Sequence, residues 1–128
     1  MDINFKREIS DSLDNVIDRV TKALSAEGFG ILTRIDMHSK IKEKIGKDII
    51  PTVILGACNP TLAHEAYCAN PDVTSLLPCN AVLREVRPGV ISVELAAPTA
   101  LMTILGDEGL VHLAGEADSR LKRALAGV

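Results

Sequence analysis

The sequence predicts an α+β domain, with a mixed, largely antiparallel sheet of about five strands packed against helices in the order β-α-β-α-β-α-β-β-α-α. Three observations lead there. Short apolar runs such as Thr52–Ala57 and Val90–Leu95 have the length and β-branched content of strands. Between them lie segments with apolar residues three and four apart, opened by Ser, Asp or Asn and closed by Gly, which is the pattern of helices. Finally, Arg87-Pro88-Gly89 joins two apolar runs directly, so that pair forms a hairpin and a purely parallel doubly wound sheet is disfavoured.

Taken in order, Ile3–Ile9 reads as a first strand with Ile3, Phe5, Arg7 and Ile9 on one face. Ser10 or Asp11 offers an N-cap to a helix carrying Leu13, Val16, Ile17, Val20, Ala23 and Leu24, and Gly28 stands just past its end. Gly30–Met37 is a second strand, and Ser39 caps a short helix with Ile41 and Ile45, closed by Gly46. After the strand Thr52–Ala57, Asn59-Pro60 places an N-cap residue beside a first-turn proline and starts a helix through about Cys68. Asn70-Pro71-Asp72 reads as a turn, Leu76–Val86 as a fourth strand and Val90–Leu95 as a fifth. Pro98 opens a short helix ending near Gly106, and the last helix runs from about Glu108 to Ala126 along Leu110, Leu113, Ala114, Ala117, Leu121, Ala124 and Leu125. There is no internal repeat or linker, so residues 1–128 form one domain.

Composition narrows the function classes. Hydrophobic residues make up 47% of the 128 but aromatics only 2%, so the core is aliphatic and there is no aromatic platform for stacking bases. The net charge is −3 and the only dense basic group, Lys40 to Lys47, is interleaved with Glu43 and Asp48, as on a solvated helix face. Nucleic acid is therefore not an expected partner. Neither is a membrane: no apolar run approaches the roughly 18 residues of a span, and Met1-Asp2-Ile3-Asn4 lacks the start of a secretory signal. Three cysteines in such a chain are expected to be reduced thiols in a cytoplasmic protein.

The residues with chemical character are few. Cys58-Asn59-Pro60 lies where a buried strand meets a helix N-terminus, whose unpaired N–H groups and dipole favour a thiolate. The competing reading is a small structural cysteine in the core. Pro78-Cys79-Asn80 sits near the start of the fourth strand. If the third and fourth strands are antiparallel neighbours, Cys58 and Cys79 share one edge of the sheet, and if parallel they lie at opposite ends. His64 and Cys68 stand four apart on one helix face and, with Cys58, are weak candidates for a soft metal site, against the simpler reading of an exposed histidine and a packed cysteine. Asp36, at the end of an apolar strand, is the one carboxylate to note, with capping as its plainer role. Gly28-Phe29-Gly30 fails as a dinucleotide fingerprint, because it follows a helix and residue 33 is Thr.

Gly28-Phe29-Gly30-Ile31-Leu32, Ile35-Asp36, Leu55-Gly56-Ala57-Cys58-Asn59-Pro60 with Ala63, and Leu77-Pro78-Cys79-Asn80 together resemble the family known as domain of unknown function 302. The likeness runs over nearly the whole chain in the right order. It implies a compact α+β domain, dimeric, in a bacterial or archaeal cytoplasm, and carries no assigned activity or cofactor. Cys58 and Cys79 fall on the family motif, while His64 and Cys68 fall outside it. Relatives often carry an acidic residue before the proline at position 98, where this chain has Ala97.

Two functions follow as expectations. One is a thiol-based binding or carrier protein for a sulfur species, a soft metal or a redox change, with a site of Cys58, Asn59, Cys79, Asn80 and Asp36. The other is a non-catalytic homodimeric module for a small ligand or a protein, in which the cysteines are structural. A cysteine enzyme ranks last, since no histidine stands in a recognisable arrangement with either thiol.

Overall fold

A computed structural model describes residues 2–128. Strand β1 (Asn4–Ser10) leads to helix α1 (Leu13–Ala26), β2 (Gly30–Asp36) to α2 (Met37–Ile45), and β3 (Thr52–Cys58) to α3 (Pro60–Ala69). A 3₁₀ helix (Pro71–Leu76) precedes β4 (Cys79–Arg87). The hairpin partner β5 (Val90–Ala96), α4 (Pro98–Met102), a 3₁₀ turn (Thr103–Leu105) and α5 (Glu108–Ala126) complete the chain. The element order is the expected one.

The local chemistry places most boundaries, and where they moved the cause is visible. Ser10 stays in β1 because it pairs with Val90, so the α1 cap passes to Ser12, whose hydroxyl accepts from the Asn15 N–H at 3.2 Å. Helix α2 begins at Met37, before Ser39. Asp36 holds the cap position but makes no cap bond, because its carboxylate accepts from Arg34 Nε at 2.9 Å. Asn70-Pro71 repeats the device of Asn59-Pro60: Asn70 Oδ1 accepts from the Asp72 N–H at 3.0 Å and opens a 3₁₀ helix. Leu76 therefore belongs to that helix, and β4 starts only at Cys79.

The sheet order is β1-β5-β4-β3-β2, with every neighbouring pair antiparallel. The expected mixed, largely antiparallel sheet is thus antiparallel throughout. One face is covered by α1 and α5. Along it Ile9, Val53, Leu55, Ala57, Ala81, Leu83, Ile91, Val93 and Leu95 pack on Val16, Val20, Leu24 and Leu121. Burying each of the larger aliphatics contributes roughly 1.5–3 kcal/mol. A second, smaller cluster of Val73, Met102, Leu110 and Ala114 lies beyond the sheet, under α4 and the start of α5.

The other sheet face is built differently. Its β4–β5 half is polar: Glu94 is buried beneath Arg84, whose Nε and Nη2 both stand 2.8 Å from Oε2, and the Ser92 hydroxyl donates to the same oxygen at 3.2 Å. The pairing satisfies a carboxylate that would be costly to bury alone.

Candidate functional site

Antiparallel pairing of β3 with β4 decides between the two alternatives left open by the sequence. Ala57 lies directly opposite Cys79, so the C-terminal end of β3 sits beside the N-terminal end of β4 and brings Cys58 to the same edge. Strict alternation would turn Cys58 to the open face, away from Ala57. At the strand end, where the chain swings into α3, it lines the same cleft as Cys79.

That cleft is the seam between the two apolar clusters. Phe29 and Leu62 form one wall, Met102, Leu113 and Ala117 the other, and the cavity measures about 50 Å³. A benzene-sized guest needs roughly 150 Å³, so the space admits a few atoms.

The motif around the cysteines is largely explained by packing. Asn59 is buried, and its Oδ1 accepts from the Leu62 N–H at 3.1 Å, capping α3. Its Nδ2 stands 2.9 Å from where a Cβ on Gly28 would be, and Gly28 has φ +85°, so glycine is required there twice over. Gly56 makes room for the Pro78 ring, whose Cγ would lie 2.8 Å from an added Cβ, and the Leu77-Pro78 peptide is cis. Asn80 lies opposite Gly56 on the open face, exposed and turned away from Cys79. The structure thus brings Cys58, Asn59 and Cys79 together and leaves Asn80 outside. Asp36 also stands apart: it pairs with Val53 at the far end of β3, roughly 17 Å from Cys58 at strand rise. Its carboxyl is lowered chiefly by the Arg34 hydrogen bond.

The three weak metal candidates do not assemble. Cys68 Sγ and His64 Nε2 are 3.6 Å apart on the exposed face of α3, but Cys58 faces the cleft. Among the described residues no three of His, Cys, Asp or Glu gather to hold a metal ion, and the three cysteines are free.

Electrostatics keep the cleft thiols protonated. Burial pushes Cys79 up to about 11, with the charges of Cys58 and Asp118 adding to the effect, and burial also raises Cys58. Desolvation thus opposes the helix-dipole activation expected for Cys58. Asp118 is a residue that sequence reasoning missed. It reaches from α5 to accept the Thr99 N–H at 3.0 Å, supplying a cap that Ala97 lacks. Its position between Ala117 and Leu121 on the α5 stripe was the available signal.

The family model for domain of unknown function DUF302 matches residues 5–128. The chain belongs to the DUF302 family. The crystal structure of an uncharacterized conserved DUF302 protein from Bacillus stearothermophilus superposes with a TM-score of 0.91 at 28% identity, over 98% of each chain. No curated protein matches this DUF302 chain. Among its described residues no helix is long and apolar enough to cross a membrane.

Proposed function

We propose that this DUF302 chain is a non-catalytic binding or carrier protein whose ligand is a small, weakly hydrated species taken into the cleft shared by Cys58 and Cys79. The observation that carries this is the antiparallel register that sets Ala57 opposite Cys79, so that both cysteines line one apolar cavity. The histidines support binding over catalysis. His38 Nδ1 accepts from the Thr52 N–H at 3.0 Å, His64 stands beside Cys68, and neither they nor His112 line the cleft. Three free thiols fit a reducing cytoplasm.

Thiol labelling tests the proposal. In the folded protein a small reagent, methyl methanethiosulfonate, is expected to modify Cys58 and Cys79, whereas a bulky maleimide modifies Cys68 alone, as mass spectrometry of the peptides will report. If Cys58 and Cys79 react only after denaturation, the cleft is core and the proposal fails.

A specific observation also favours a homodimer. Residues 30–50 expose Leu32, Ile35, Ile45, Ile49 and Ile50, β2 is an edge strand, and α2 has no buried residue. A second copy covering this arm would bury what the single chain leaves in water.

A further inference from the structure

We propose that the ligand of the cleft is a soft monovalent metal cation, copper(I), held by three sulfur atoms from Cys58, Cys79 and Met102. The inference rests on the reading of the cleft as a binding site and names its occupant. Met102 sits on α4, is 5% exposed, and lines the same cavity as the two cysteines. Three sulfur-bearing residues, in a chain with only three cysteines and three methionines, thus line one small cavity. Leu and Ala fill most of the other positions around it.

Chemistry selects the occupant. Thiolate and thioether donors suit Cu(I), whereas Mg²⁺, Ca²⁺ and Mn²⁺ want oxygen and Zn²⁺ is held by Cys, His or carboxylate and not by a thioether. Size agrees with chemistry: about 50 Å³ fits an ion with no water shell. Binding is balanced without any redox partner. The two Cys S–H bonds break, both protons leave to solvent, two copper–thiolate bonds and one copper–thioether bond form, and copper stays monovalent.

The exposed His64–Cys68 pair is the rival for the same probe, so the test separates them. Cu(I) is offered anaerobically in competition with the chromophoric chelator bicinchoninate. One copper per chain is expected, abolished in Cys58→Ser and in Cys79→Ser, weakened about tenfold in the near-isosteric Met102→Leu, and unchanged in Cys68→Ser. Far-UV circular dichroism confirms that each variant is folded. Copper retained in the Cys58 and Cys79 variants but lost in Cys68→Ser overturns the proposal, as does failure to withdraw copper from the chelator. Failure here with successful small-reagent labelling of Cys58 and Cys79 leaves the binding cleft standing and removes only copper, whereas failure of both removes the cleft as a site.

Discussion

Cys79 carries the clearest physical signature in the molecule. It lies at the first position of β4, opposite Ala57, and desolvation holds its thiol at about 11 against an ordinary 9.0. The sign of the consequence follows from linkage. A folded-state pKa above the unfolded one favours the protonated thiol in the folded chain, so its contribution is complete below pH 9 and is lost as pH rises through about 11. Two pH units correspond to about 3 kcal/mol at most. Urea unfolding between pH 8 and pH 11 is expected to show this loss in the parent chain and much less of it in Cys79→Ala. Equal alkaline losses in both would assign the effect to other groups.

At the scale of elements, the site is a junction of ends: the close of β3, the caps of α3 and α4, and the start of β4. Asn59 fixes the first cap from within its own segment, so the sequence pattern Asn-Pro announced it. Asp118 fixes the other from nineteen residues away along the chain. Replacing it with Ala is expected to cost about 1 kcal/mol, and to speed amide exchange at Thr99 while leaving α1 untouched; unchanged exchange at Thr99 would deny the cap.

The same contrast explains what could be read before the fold was known. Helices α1, α3 and α5 and the β4–β5 hairpin are written in local spacing and caps, and the structure has them within a few residues. The meeting of Cys58 with Cys79 depends on strand direction, which no local pattern states. Asn80 joins the cysteines by its nearness in the motif, and Asp36 as the one carboxylate at the end of an apolar strand. Pleat alternation sends Asn80 to the other face, and the length of β3 separates Asp36 from the cleft. No local pattern singles out Met102, and only the packing of α4 against α5 brings it to the cavity of the two cysteines.

For the whole molecule, the exposed arm of residues 30–50 bears on association. A stable interface buries roughly 800 Å² on each partner, and an edge strand with an adjoining unburied helix is a surface of suitable kind. Sedimentation velocity is expected to return a dimer for the parent chain and a monomer for Ile45→Asp, with the cleft thiols labelled alike in both. A parent chain that sediments as a monomer at high micromolar concentration would remove the dimer.

The central claim is that Cys58 and Cys79 open onto one cavity at the seam of two apolar clusters. It is tested most directly by the rate at which methyl methanethiosulfonate modifies Cys79 in the folded parent chain and in Ala117→Leu, which puts added bulk into the cavity wall. The cavity predicts labelling faster than global unfolding in the parent and a marked slowing when the cavity is filled. Labelling of Cys79 at the unfolding rate in both proteins would contradict it.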